Sequence, residues 1–243
     1  MKKIIYYILP VLCCLLPSCQ PKNEPVSPEK KDTTVVTPTD TILPSRSLRQ
    51  EPYRPQVHYT VHHNWMNDPN GLCYKDGVWH LYYQYNPGGI DCNFGAMSWG
   101  HAESTDLMHW SEREPVLYPD EKGAMFSGCS VVDTDNKAGF GAGAILAFYT
   151  ASAEKQLICL AVSTDGGQTF QKHEGPFNGA IINSTGLNNF RDPKVVWDAE
   201  HGQYVMVIAK GWDQGLEFWR STNLIDWSFV PYIFHAEQHR CNL

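Results

Sequence analysis

The sequence predicts an all-β protein, built as a β-propeller from repeated four-stranded units. Three observations point there. First, from about residue 57 onward the apolar runs are short, aromatic or β-branched: "VWHLYYQY", "AILAFYTA", "LICLAVS", "YVMVIAK" and "LEFWRS". They are separated by Gly, Asp and Asn, the residues that turn a chain between strands. Second, a polar turn string recurs: Ser104-Thr105-Asp106 leading to Trp110, Ser163-Thr164-Asp165 leading to Phe170, and Ser221-Thr222-Asn223 leading to Trp227, with starts 59 and 58 residues apart. Third, an apolar strand ("HLYYQY", "ILAFYT", "YVMVIA") comes before each of these turns. A unit repeated at this spacing cannot bury both of its own faces, and packing such units face to face around an axis is the propeller solution.

In chain order, Lys2 and Lys3 precede the apolar run "IIYYILPVLCCLL". That run is short for a bilayer span and reads as the hydrophobic region of a secretion signal. "LLPSC" then sets Cys19 after a small residue, in the manner of a bacterial lipobox. Residues 1–18 are therefore expected to be a lipoprotein-type signal and Cys19 the lipidated residue, exported and membrane-anchored. Residues 19–50 are rich in Pro, Thr and charge without apolar periodicity, and read as a flexible tether. Residues 51–243 form the folded part. They hold about three repeats, whereas closed propellers have about four to eight blades. The ring is expected to be incomplete, as a fragment of a longer chain or a truncated gene product ending at "HAEQHRCNL" would leave it.

Composition narrows the function. A chain of 243 residues, 42% hydrophobic, can bury a full core, and its formal net charge of −7 without clustered Lys and Arg argues against a nucleic-acid groove. A neutral polar ligand such as a sugar suits an acidic chain with 12% aromatic residues. Beyond the leader, Cys73, Cys92, Cys129, Cys159 and Cys241 are odd in number and lack metal-ligand spacing, so free buried thiols are expected and no disulfide framework. His58, His62 and His63 read as packing or loop residues, Asn183-Ser184-Thr185 reads as an ordinary loop, and neither a metal nor a cofactor is expected.

The carboxylates carry the chemistry. "NWMNDPNGL" (64–72) is ordinary turn material by itself, because Pro69 presets φ while Asn70 and Gly71 tolerate left-handed geometry. Asp192 in "NFRDPKVVW" stands in the same context, Asp-Pro followed by a strand, at the opening of the third unit. Asp68 opens the first. Inner strands of a propeller line a central funnel, so both carboxylates are expected to converge on one ligand.

In order and spacing, "NWMNDPNGL", "YYQYNP", "MSWGHAESTDLMHW", "FSGC" and "FRDPKVVW" resemble the successive motifs of glycoside hydrolase family 32, the invertases, inulinases and levanases. The resemblance covers about residues 58–240. It implies a five-bladed β-propeller followed by a β-sandwich, and cleavage of β-fructofuranosidic bonds with retention. On that resemblance Asp68 is the nucleophile, kept ionised by Asn67 and the amides around Pro69 and Asn70. Asp192 grips sugar hydroxyls and stabilises the oxocarbenium-like transition state, steadied by Arg191. Trp65, Gln84, Phe126 and Ser127 line the sugar subsite. Phe94 joins them where the family usually has tryptophan, keeping a ring but losing an indole donor. Cys129 stands where a second serine is usual, which bears on substrate preference.

The family's general acid is the Glu of a Glu-Cys pair about fifty residues past Arg-Asp-Pro. No Glu-Cys pair occurs here. Glu237 is nearest in position, without matching neighbours, and Glu217 reads as structural. The acid is expected beyond the end of the chain. Three alternatives to hydrolysis stay open: a non-catalytic fructan-binding propeller, a fructosyltransferase sharing the covalent intermediate, and a generic scaffold, which would leave the paired Asp-Pro turns coincidental.

Overall fold

The computed structural model describes residues 51–183, 189–211 and 215–235, with the side chains of 232–235 left aside. The signal, the tether, Cys19, Glu237 and Cys241 lie outside the described residues, as does most of the Asn-Ser-Thr triplet. Among the described residues, twelve strands form three four-stranded antiparallel sheets, each a simple meander. The first sheet holds β1 (Trp65–Lys75), β2 (Val78–Asn86), β3 (Ser98–Ser104) and β4 (Ser111–Leu117). The second holds β5 (Ala124–Asp133), β6 (Ala144–Ser152), β7 (Gln156–Ser163) and β8 (Gln171–His173). The third holds β9 (Phe190–Asp198), β10 (Gln203–Lys210), β11 (Gly215–Ser221) and β12 (Ser228–His235). Opening strands lie side by side, β1 against β5 and β5 against β9, the arrangement of successive propeller blades.

The turn repeat has a single physical basis. In each sheet it joins the third strand to the fourth, and its serine hydroxyl accepts backbone N–H groups that the turn would otherwise strand. Ser104 Oγ accepts from Leu107 N at 2.8 Å, Ser163 Oγ from Gly167 N at 2.8 Å, and Ser221 Oγ from Leu224 N at 2.8 Å. The trailing tryptophans then clip the turns shut, Trp110 Nε1 donating to Leu107 O and Trp227 Nε1 to Leu224 O, both at 3.1 Å. Phe170 has no such donor and instead packs its ring at 90° to that of Tyr82, across the seam to the first sheet.

Burial follows position in the stack. β6, "AILAFYTAS", is buried at every residue but its last, because the middle sheet is covered on both faces. β10 alternates buried and half-buried residues, the pattern of a sheet covered on one face among the described residues. The core fills the two seams. Tyr82, Trp99, Leu117 and Met125 meet Ile145 and Tyr149 between the first and second sheets, while Phe148, Leu146 and Ile158 meet Val195, Met206 and Ile208 between the second and third.

One local expectation is corrected. Asp-Pro-Asn-Gly is not a turn between strands: it lies inside β1 as an irregular stretch, with register shifts against β2 between Met66 and Pro69 and between Asn70 and Cys73. The residues that favour tight turns here supply bulges, which re-aim a side chain without ending the strand. Gly71 takes φ +52°, and a Cβ there would meet Ser130 Oγ of β5 at 2.4 Å.

Candidate active site

Asp68, on the bulged part of β1, is exposed at the end of the sheets where β5 and β9 begin. Ser127 Oγ donates to its Oδ2 at 2.7 Å. The oxygen partner thus comes from the neighbouring sheet. Asn67, expected to stabilise Asp68, turns its Oδ1 to Trp65 Nε1 at 2.8 Å, so Trp65 orients Asn67 and is absent from the cavity lining. Asn67 still lines the cavity, two residues along the bulged strand from Trp65.

Asp192 enters from β9 with φ +61°, a left-handed backbone that glycine, asparagine and aspartate adopt more readily than other residues. Its N–H donates to Thr150 Oγ1 at 3.1 Å, and Thr150 Oγ1 donates to Ser127 O at 3.2 Å. Thr150 is fully buried on β6, so one hydroxyl ties together the backbones that carry Asp192 and Ser127. Arg191 Nε stands 3.7 Å from Asp192 Oδ2, and its Nη1 donates to Asn189 Oδ1 at 2.6 Å. Desolvation raises the Asp192 pKa above its ordinary value; the Arg191 charge opposes this and the Asp68 charge adds to it. With its side chain 48% exposed, Asp192 keeps much of its hydration, so the effect on stability is modest.

These carboxylates share one cavity of about 430 Å³, lined by Asn67, Asp68, Gln84, Phe94, Phe126, Ser127, Arg191 and Asp192. Several lining positions are supported from behind. Gln84 is buried on β2 and donates to Met125 O at 2.8 Å, and Trp99 Nε1 donates to Phe126 O at 3.0 Å. Gly128 lets β5 hug β6, since a Cβ there would fall 1.9 Å from Phe148 O. Phe94 rides on a short 3-10 turn, Phe94–Ala96, is 62% exposed, and inclines its ring at 53° to that of Phe126 with centroids 5.9 Å apart. A cavity with two carboxylates, a guanidinium, two amides and two rings can hold a sugar by hydroxyl bonds and ring stacking.

Two cysteine and glutamate expectations resolve differently. Cys129 is buried between the second and third sheets, where its Sγ accepts from Val195 N at 3.2 Å and burial pushes its thiol up to about 11. It therefore spaces sheets and does not touch the cavity. Glu217, on β11, pairs with Lys210 Nζ at 3.3 Å and accepts from Trp219 Nε1 at 3.3 Å, in keeping with a structural role. Cys73, Cys92, Cys129 and Cys159 are all free. Sequence reading missed Thr150, Asn189 and Asn70, whose Oδ1 accepts from Gly128 N at 3.4 Å. Asn70 and Asn189 stand inside the two Asp-Pro motifs, which do not say what their side chains reach, and Thr150 stands in neither; "AFYTA" signals a strand and says nothing of what its threonine reaches.

Residues 58–242 match the family model described as glycosyl hydrolases family 32 N-terminal domain. A levanase of Bacillus subtilis is 44% identical over 188 residues, which cover 76% of this chain and 27% of the levanase. An invertase of Schizosaccharomyces pombe is 39% identical over 72% of this chain and 31% of its own length. Among solved structures, β-fructofuranosidase from Schwanniomyces occidentalis, complexed with fructosyl-erythritol, superposes with a TM-score of 0.69 at 38% identity, covering 75% of this chain and 36% of that one. Exo-inulinase from Aspergillus awamori has a TM-score of 0.69 at 35% identity, covering 77% and 41%. The chain thus spans roughly a quarter to two fifths of these relatives. With twelve strands in three blade-like sheets and a carboxylate-lined cavity at their shared end, it belongs to glycosyl hydrolase family 32.

Proposed function

We propose that the protein hydrolyses terminal β-D-fructofuranosidic bonds of sucrose or fructans by a retaining mechanism. Convergence of Asp68 and Asp192 on one cavity, each from the first strand of its sheet, carries this reading. Asp68 attacks the anomeric carbon of a fructosyl unit: the C–O bond to the leaving group breaks as the carboxylate–carbon bond forms, and water later displaces the carboxylate. Ser127 holds the attacking carboxylate through Oδ2. Asp192 accepts sugar hydroxyls and its negative charge favours the oxocarbenium-like transition state, with Arg191 beside it. Phe94 and Phe126 offer ring surface to the sugar, and Asn67 and Gln84 offer amides.

Protonation of the leaving oxygen requires a further carboxyl, which we assign outside the described residues; among those described, the cavity's carboxylates are Asp68 and Asp192. A donor whose leaving group needs no proton isolates the first step. With β-D-fructofuranosyl fluoride, fluoride release is expected from the wild-type chain and is expected to vanish in Asp68→Asn. Binding of fructan by calorimetry without any fluoride release would instead establish a non-catalytic sugar-binding propeller. Products longer than the donor at high sucrose would establish transfer in place of hydrolysis. The same reading places the enzyme outside the cytoplasm on a lipid anchor at Cys19; palmitate labelling that persists in Cys19→Ser would refute the anchor.

A further inference from the structure

A second cluster of reactive side chains lies away from the cavity. His80 on β2 and His101 and Glu103 on β3 share one face of the first sheet, because His80 pairs with Glu103 across the ladder and Tyr82 with His101. His80 and His101 are buried, and Glu103 is nearly so. Three potential ligand atoms face one another: His80 Nδ1 to His101 Nε2 is 3.1 Å, His80 Nδ1 to Glu103 Oε1 is 3.6 Å, and His101 Nε2 to Glu103 Oε1 is 3.9 Å. The point equidistant from them lies about 2.1 Å from each, within the roughly 2.0 to 2.2 Å of zinc–imidazole and zinc–carboxylate bonds. A single imidazole proton can bridge the short edge of this triangle. A divalent cation at its centre faces all three atoms.

The surroundings suit a bound cation. Arg113 Nε donates to the other carboxylate oxygen, Glu103 Oε2, at 2.7 Å, which orients Oε1 toward the histidines as outer partners of metal ligands do. The Tyr82 ring stacks on His101 at 4.7 Å between centroids and fixes the ring plane. The turn of the second sheet closes over the cluster: Gln168 Nε2 donates to Glu103 Oε1, Tyr82 OH donates to Gly167 O at 3.2 Å, and a Cβ at Gly167 would sit 3.1 Å from His80 Nδ1.

We propose that His80 Nδ1, His101 Nε2 and Glu103 Oε1 bind one Zn²⁺ that pins β2 to β3 beneath the turn of the second sheet, with water in the fourth position. The sequence hides this site: the ligands come from two strands, and their spacing of 21 and 2 residues matches no zinc motif. The test uses the full chain stripped by EDTA and titrated with zinc chloride. One equivalent is expected to bind, and the melting temperature is expected to rise with zinc concentration as mass action requires. Glu103→Gln is expected to weaken binding by more than about tenfold and to abolish the thermal shift. Should that variant not fold, zinc-edge X-ray absorption of the loaded wild type decides, two imidazoles and one carboxylate supporting the site. No binding at millimolar zinc, undiminished binding by a folded Glu103→Gln, or a different ligand set overturns it.

Discussion

Asp192 bears two strains at once, a left-handed backbone at φ +61° and a carboxyl whose charged form is disfavoured by desolvation and by Asp68. Because its folded pKa is raised, the folded state holds a proton that the unfolded state has already released. Folding stability therefore falls as pH rises through the carboxylate range. Asp192→Asn removes the charge and accepts the backbone. Its melting temperature is expected to exceed that of the wild type at neutral pH, the gap narrowing as pH falls through the carboxylate range, while activity is lost; this is the usual tension between a reactive site and a stable one. Ser127→Ala removes a hydrogen bond to a charged oxygen, worth about 1.5 to 3 kcal/mol. A drop of about tenfold or more in turnover of fructofuranosyl fluoride is expected, about 1.4 kcal/mol being one decade. Thr150→Val leaves Asp192 N–H and Ser127 O without their shared partner, and chemical denaturation should register a loss of about 1 to 3 kcal/mol.

Among the elements, the third-to-fourth-strand turns give a controlled comparison. Leu107 and Leu224 hold equivalent places with φ +64° and +66°, but Leu107 is 42% exposed and Leu224 is fully buried in the core. A left-handed residue other than glycine costs roughly 1 to 2 kcal/mol, part of which glycine returns as lost chain freedom. Leu107→Gly is thus expected to stabilise by up to about 1 kcal/mol. Leu224→Gly also empties a core site, and is expected to destabilise by about 2 to 4 kcal/mol, net of the relieved strain. Paired urea melts of the two variants check the contrast in sign. The serines of these turns were legible because their geometry is local: each binds amides two to four residues ahead.

Across the molecule, stability resides in the seams. Phe148 is wholly buried in the middle sheet and sets its ring edge-on against Trp227 of the third sheet's turn at 5.8 Å between centroids. Phe148→Ala is expected to cost about 3 to 5 kcal/mol, read as a lowered midpoint in thermal unfolding. Cys129 shows the same dependence on packing. As a sequence feature it resembled a changed cavity residue, yet its thiol accepts an amide from β9 and spaces two sheets. A local pattern specifies which way a strand residue alternates, and the neighbouring sheet decides whether that direction leads to ligand or to core.

By itself the sequence determined the strands, the repeated turns and the residue types that cluster at Asp68 and Asp192, because strand period and turn chemistry act over a few residues. Tertiary structure alone decided that Ser127 donates to Asp68, that one buried threonine serves both the Asp192 and Ser127 backbones, and that His80, His101 and Glu103 meet. Those contacts join residues 59, 42, 23 and 21 positions apart, and their partners are set by sheet register and blade packing, which no local pattern encodes.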